Sequence, residues 1–304
     1  MELPSGNCRQ KKDGSQRFCV DFRQLNKITN PILHPLPLTD DILARLWKAQ
    51  YFTTLDLKSR YWQVLMDEED KEKTAFACHR RLFEFLVMPF GLSAATPVFM
   101  EFMNIVLERL EDFAMTYLDD TTVFSASPEE RLSQIRTIFD RLREHSLKMT
   151  LKKCIFSRNE TKYLEFLMNG EGIKPEKEKE AIRAMAEPCN VREVRRFIGM
   201  CSYYRRFVPN FSEIAQPLID LTKKYVRFKW NHQCEKSFDY LKESLSVVPL
   251  LVYLDPQKPY VLYTDASDTC IRAVLTQQEE DEYGEEVEKP IYFLSRKLRN
   301  TQCR

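Results

Sequence analysis

Glycine is scarce in this sequence, with seven in 304 residues, about a third of its usual share. Internal repeats and low-complexity stretches are absent as well, which excludes fibrous and linker-like classes. No run of eighteen apolar residues exists, so no segment is expected to cross a membrane as a helix. Met1 to Lys12 lack the apolar core of a secretory signal. The nine cysteines include no Cys-x-x-Cys pair and there are only four histidines, which argues against a zinc site. Scattered, odd-numbered thiols suit a reducing compartment, where a buried cysteine acts as a small apolar residue. Net charge is only +1, and by itself speaks neither for nor against nucleic acid.

What is present is 43% hydrophobic content, enough to fill the cores of two or three modest domains at this length. Charge is unevenly spread. From Arg192 to Lys229 nine Lys or Arg stand against three acids, with Tyr203, Tyr204, Phe207 and Phe211 interleaved. Such a stretch suits a phosphate backbone, or is simply a solvated helix face. Glu279 to Glu288 is almost wholly acidic and reads as a loop.

Residues 17–25 read as a strand and a turn, and Tyr51 to Leu57 as a strand bearing an aspartate. Ser93 is the expected cap of a helix carrying Phe99, Phe102, Met103, Val106 and Leu110 at helical spacing. Phe113 to Ser125 reads as a hairpin folded about Asp119-Asp120. Ser127-Pro128-Glu129-Glu130 is a helix start, followed by the stripe Ile135, Ile138, Phe139 and Leu142. Tyr163 to Met168, with a turn around Gly170 to Gly172, predicts a second short hairpin. Pro175 is expected to open a helix to about Ala186. Asn190 to Glu193 resembles a capping box for a helix with Val194, Phe197, Ile198, Cys201, Tyr204 and Val208 on one face, ended by Pro209. Helices are expected over about 211–223 and 231–246, then a linker from Pro249 to Pro259. Three strand-like runs close the chain: Tyr260–Ala266, Ile271–Gln277 and Ile291–Leu294. A mixed part followed by helices places a boundary near 173.

Asp56 closes an apolar strand, and Asp119 and Asp120 sit at a hairpin tip. Hard carboxylate oxygens suit magnesium, and two divalent cations about 3.5–4 Å apart can activate a hydroxyl and hold a triphosphate. Taken alone, paired aspartates in a turn are most often only a turn.

Around Tyr117-Leu118-Asp119-Asp120 stand KKDGSQRFCVDFRQLNK (11–27), LDLKSRYWQV (55–64), KTAF and FEFLVMPFGL (73–92), and LKKCIF (151–156). Further on come RRFIGMCSYYRRFVPNFS (195–212) and YTDAS (263–267). In this order and spacing the chain resembles the reverse transcriptases of gypsy-type long-terminal-repeat retrotransposons, over about residues 11–300. The resemblance implies an α+β right-hand polymerase. Fingers and palm would take residues 1–173, N-terminally truncated, and a helical thumb 174–250. The start of a ribonuclease H-like α/β segment would take 251–304, C-terminally truncated. It also implies RNA-directed DNA polymerisation on a primed RNA or DNA template, using dNTPs and two Mg2+ ions, with Mn2+ as a substitute. The setting implied is intracellular, in the cytoplasm or a retroelement particle and not secreted, with no membrane. Other parts of a retroelement polyprotein are the implied protein partners.

The same resemblance assigns roles. Asp56 and Asp119 become the main catalytic metal ligands, with Asp120 the more peripheral acid. Tyr61, a core aromatic by its own chemistry, becomes the steric gate that excludes a ribose 2′-hydroxyl. Lys11 and Arg17 become triphosphate-binding cations. Phe90 and Gly91 line the incoming-nucleotide pocket. Tyr163, Leu164, Glu165, Phe166 and Leu167 form the primer grip. Asp265 matches the first ribonuclease H acid; the remaining acids are expected past residue 304, so no hydrolase activity is expected.

The chain departs from the pattern chiefly by losing glycine. Arg60, Arg81, Glu165, Cys270 and Arg272 stand where the family usually has Gly, at positions expected to need positive φ or close approach. FGLSAATPVF lacks the usual Asn and Pro after its Leu. A palm-type RNA-directed RNA polymerase is one rival, opposed by Tyr61, the thumb string and YTDAS. The other is a catalytically impaired remnant that only binds nucleic acid. Lost glycines favour it and the intact aspartates oppose it.

Overall fold

The computed structural model describes residues 6–10, 14, 16–32, 35, 38–79, 81–118, 120–176, 182–280 and 284–298, without the side chains of 6–10, 16 and 17. The chain divides into two units, Met1–Asn159 and Glu160–Arg304.

In the first unit β1 (Gly6–Gln10) pairs antiparallel with β2 (Gln16–Val20), and α1 (Arg23–Ile28) and α2 (Thr39–Ala44) follow. β3 (Tyr51–Asp56) leads through a one-turn 3-10 helix at Arg60–Gln63 to α3 (Glu68–Lys71). Then come the hairpin of β4 (Phe76–Cys78) and β5 (Arg81–Phe83), and α4 (Ala95–Val106). β6 (Ala114–Tyr117), β7 (Asp120–Ser125), α5 (Pro128–Glu144) and β8 (Ile155–Arg158) complete it. The main sheet is antiparallel in the order β6-β7-β3-β8.

Central strand β7 is buried from Thr121 to Ser125, and the Thr121 and Thr116 hydroxyls satisfy each other at 2.9 Å, as buried hydroxyls must. Leu55 and Val123 of the sheet pack with Phe99, Met103 and Val106 of α4 and Ile138 and Leu142 of α5. A smaller cluster joins Val20, Phe22 and Phe76. α5 starts as its sequence predicts, with the Ser127 hydroxyl accepting from the Glu130 N–H at 3.2 Å. α4 does not. Its first turn is preceded by Ala94, with no side-chain cap. Ser93 instead donates its N–H to Asn26 Oδ1 at 2.8 Å, and a Leu92–Ala95 turn at 3.2 Å delays the helix. The helix also ends at Val106; Arg109 at φ +67° turns the chain so that Leu110 still reaches the core.

In the second unit β9 (Glu160–Tyr163), β10 (Phe166–Asn169) and β11 (Gly172–Pro175) form an antiparallel meander, one strand more than the expected hairpin. The second turn is closed by Asn169 Oδ1, which accepts from Glu171 and Gly172 at 3.0 Å. A Cβ at Gly172 would run into the Leu251 carbonyl, where Ile173 and Leu251 exchange backbone bonds of 2.8 and 3.0 Å. Pro175 therefore ends a strand instead of opening a helix; of the helix expected from there to about Ala186, residues 177–181 lie outside the described residues, and Ile182 and Arg183 are helical.

α6 (Val191–Tyr203) follows, then α7 (Phe211–Ile214), α8 (Gln216–Asp220) and α9 (His232–Ser246). One helix was expected where α7 and α8 stand. Pro217 has no N–H to continue the ladder and breaks it. The last sheet runs β12 (Tyr260–Ala266), β13 (Cys270–Glu280), β14 (Glu286–Lys297), all antiparallel. A register shift at Leu275/Thr276 leaves Ile291 unpaired beside Pro290, which is how a strand accommodates proline. The acidic run is not all loop, and Asp281, Glu282 and Tyr283 of it lie outside the described residues. Glu279, Glu280, Glu286 and Glu288 lie on the strands, where Lys289 Nζ meets Glu279 at 2.9 Å and the Tyr263 hydroxyl donates to Glu288 at 3.0 Å.

Candidate active site

Antiparallel pairing of β3 with β7 puts Asp56 directly opposite Asp120. Directly opposed residues carry their Cβ atoms about 4.5–5.5 Å apart on one face. Thr150 and the LKKCIF segment after it are stitched around Asp56: the Asp56 carbonyl accepts from the Thr150 N–H at 2.8 Å, and the Asp56 N–H approaches Cys154 Sγ at 3.4 Å. Lys153 Nζ lies 3.4 Å from Asp56 Oδ2. Lys153 was missed at the level of sequence, although it lies in a quoted motif. Leu118, at φ +52°, turns the hairpin tip, and Asp119 lies outside the described residues. Two adjacent carboxylates, one already drawing a cation, fit hard divalent ions. No group of three or more acidic, His or Cys residues able to hold a metal occurs among the described residues.

Tyr61 is buried in the same unit. Its ring packs 5.2 Å from Phe90 and edge-on to Phe99 at 5.7 Å, and the Arg60 guanidinium sits 4.9 Å over its face. Its hydroxyl shares a 2.8 Å hydrogen bond with the Thr96 hydroxyl. Gly91 has φ +103°, while a Cβ there would meet only ordinary contacts; conformation, not space, calls for glycine. Asn26 clasps this loop, donating from Nδ2 to the Gly91 carbonyl at 2.8 Å and accepting from the Ser93 N–H. Sequence reasoning did not single out Asn26. Arg17 is placed on β2 opposite Arg9, with its side chain outside the description, and Lys11 lies outside the described residues.

In the second unit, Tyr163 pairs with Phe166, leaving Leu164 and Glu165 as a two-residue turn at φ +50° and +61°. That is the conformation for which hairpins favour Asn-Gly. Tyr163 and Phe166 are buried, and Phe166 stacks on Tyr203 at 5.5 Å. The Tyr203 hydroxyl donates to the Leu164 carbonyl at 2.6 Å. Leu167 pairs with Lys162, whose ammonium lies 3.4 Å from Glu165 and also contacts Glu176. These carboxylates, Glu176 first, raise the Lys162 pKa.

Of the five positions expected to want glycine, Glu165 alone has positive φ. At Arg60 the turn falls on the preceding Ser59, φ +51°. Arg272 is a strand residue opposite Asp265; its guanidinium lies 2.9 Å from Glu213 and 3.6 Å from Asp265. Three of the four aromatics read as interleaved with a basic stretch are core residues: Tyr204, Phe207 and Phe211 are buried, and Tyr203 is 47% exposed. Cys201 is likewise buried, its thiol pushed up to about 12 by burial.

An α+β chain with carboxylates paired across a central antiparallel strand pair, and a helical and β-sheet unit after it, belongs to the right-hand polymerase class. The foamy viral protease-reverse transcriptase dRH in complex with ds DNA is similar in structure over 99% of this chain and 52% of its own, with TM-score 0.85 and 24% identity. The foamy viral protease-reverse transcriptase in complex with RNA/DNA hybrid is similar over 99% of this chain and 40% of its own, with TM-score 0.79.

The chain belongs to the family described as reverse transcriptase (RNA-dependent DNA polymerase), which matches residues 9–167. Residues 230–304 match the RNase H-like domain found in reverse transcriptase. The Transposon Tf2-3 polyprotein of Schizosaccharomyces pombe is 34% identical over 96% of this chain and 22% of its own length. The retrovirus-related Pol polyprotein from transposon 297 of Drosophila melanogaster is 39% identical over 93% of this chain and 26% of its own. This chain thus spans about a quarter of its curated relatives. No helix among the described residues is long and apolar enough to cross a membrane.

Proposed function

We propose that this chain performs RNA-directed DNA polymerisation, adding deoxynucleotides to a primer 3′-hydroxyl on an RNA or DNA template. The observation that carries this reading is the register of Asp56 with Asp120 at the end of the central strand pair, next to Asp119 in sequence. Asp56, Asp119 and Asp120 would hold two Mg2+ ions, or Mn2+ in their place. When bound, such ions activate the attacking hydroxyl and neutralise the triphosphate and leaving pyrophosphate.

The protein's own residues do the rest. Lys11 and Arg17 would bind the triphosphate through charge-assisted bonds. Phe90 and the Gly91 peptide would wall the nucleotide, and the ring of Tyr61 would fill the space a 2′-hydroxyl needs. Tyr163, Leu164, Glu165, Phe166 and Leu167 would hold the primer end. In this reading fingers and palm take residues 1–173, the thumb 174–250, and the ribonuclease H-like segment, with Asp265, 251–304. Transposon polyproteins among the relatives support an intracellular setting, in the cytoplasm or a retroelement particle, with other parts of such a polyprotein as partners.

Primer extension on poly-rA/oligo-dT tests the proposal. Extension is expected with Mg2+ and is expected to vanish in Asp119→Asn. Equal extension by both proteins would remove Asp119 from the chemistry.

A further inference from the structure

We propose that Thr96 is a positioning residue for the gate, holding Tyr61 in the place from which it selects the sugar. The inference rests on reading Tyr61 as the gate. Thr96 is the second residue of α4, in the FGLSAATPVF stretch where the chain departs from its family. Its hydroxyl and that of Tyr61 are 2.8 Å apart.

The tether is well placed for such a role. Phe90 and Phe99 hold the flank of the ring, and Arg60 covers a face. Those contacts resist sideways displacement, whereas the bond to Thr96 fixes the ring tip, the atoms farthest from the backbone and the most sensitive to small rotations about χ1. The Thr96 hydroxyl is not drawn into capping, because α4 has no side-chain cap. The hydroxyl at this helix start is therefore available to the tyrosine. A ring freed from Thr96 gains room to yield to a 2′-hydroxyl, so discrimination falls through better use of ribonucleotides.

The test is a double-mutant cycle in the full 304-residue chain: Thr96→Val, Tyr61→Phe and both together, with Thr96→Ser as rescue and Tyr61→Ala as gate control. The dNTP/rNTP preference is read as a kcat/KM ratio in single-nucleotide extension. It is also read as a Kd ratio on a dideoxy-terminated primer–template, which needs no turnover. Thr96→Val and Tyr61→Phe are each expected to lower the preference about three- to tenfold, the worth of one hydrogen bond. The double variant should go no further, since both changes remove the same bond. Thr96→Ser should restore the preference. Tyr61→Ala should lower it by about a hundredfold.

If Thr96 only satisfies a buried hydroxyl, Thr96→Val will lower the melting temperature and leave the preference intact while Tyr61→Ala abolishes it. That result overturns the proposal and spares the gate. A preference untouched by Tyr61→Ala overturns both. Additive losses in the double variant also overturn it, because they place the two hydroxyls in separate roles.

Discussion

Leu164 and Glu165 occupy left-handed backbone at φ +50° and +61°, a conformation that costs a residue with a Cβ about 1–2 kcal/mol. Glycine escapes that cost and gives part of it back as unfolded-state entropy, roughly 0.5–1 kcal/mol. Glu165→Gly is therefore expected to stabilise the protein by about 0.5–1 kcal/mol, seen as a higher denaturation midpoint at unchanged slope. It should also raise primer extension with little change in RNA–DNA hybrid affinity. An unchanged midpoint would mean the turn relaxes around the glutamate at no cost. The missing glycines were visible in the sequence as a set, but not what each would do. At Arg60 the left-handed angle falls on the preceding Ser59, and Arg272 has been absorbed as a strand residue paired with Glu213 and Asp265. The backbone angle at one residue depends on where its neighbours pair, and residue identity does not report that.

α6 shows an element whose start was legible. The Asn190 side chain accepts from the Glu193 N–H at 3.0 Å. The Glu193 carboxylate in turn accepts from the Cys189 N–H at 2.7 Å and the Asn190 amide at 2.8 Å. The backbone bond from Cys189, then the Asn190 bond, hold the Glu193 carboxyl below its usual 4.5. With the folded pKa below the unfolded one, the unfolded chain binds more protons in the interval between them, so stability rises with pH there. The contribution is complete above pH 4.5 and is lost as pH falls through the lowered value. Glu193→Gln should flatten this acid limb of the stability profile, measured by chemical denaturation from neutral to acidic pH. Asn190→Ala should cost about 1 kcal/mol at neutral pH; a limb that persists in Glu193→Gln would assign it to other carboxyls. Ser93 carries the same kind of signal but stands one residue before the N-cap Ala94, because a Leu92–Ala95 turn delays the helix, and Asn26, distant in sequence, holds that turn by accepting the Ser93 N–H. Capping boxes close within four residues and can be read locally. A long-range clasp cannot.

For the molecule as a whole, net charge +1 gives no general attraction to nucleic acid, so binding must come from where the charges sit. Arg192, Arg195 and Arg196 are exposed on α6, and phosphate contacts supply most non-specific affinity through counterion release. Affinity for an RNA–DNA hybrid is expected to fall by about 10²–10³ between 50 and 200 mM salt, as for roughly five phosphate contacts. Replacing both Arg192 and Arg196 with Ala should lessen the slope of log K against log salt by about two. Fluorescence anisotropy at four salt concentrations decides this, and a slope near zero would move recognition away from phosphate. Aromatic stacking is not expected to compensate, because Tyr204, Phe207 and Phe211 are already used in the core.

Sequence by itself determined the class of the protein, the order of its motifs, the strand and hairpin bearing Asp56 and Asp120, and the starts of α5 and α6. These depend on contacts within a few residues or on alternation along a segment, which residue order states directly. Tertiary structure decided what depends on pairing across distance. The register of β3 with β7 brought Asp56 opposite Asp120, 64 positions on in the chain. Packing of α4 against the Arg60–Gln63 turn tied Tyr61 to Thr96, and Lys153 was carried to Asp56 by the strand beside it. In the second unit, packing turned the aromatics of the basic stretch inward: Tyr204 at the end of α6, Phe207 in the 3-10 turn after it and Phe211 at the start of α7 are buried, although they fall on three successive elements and not on one helical stripe.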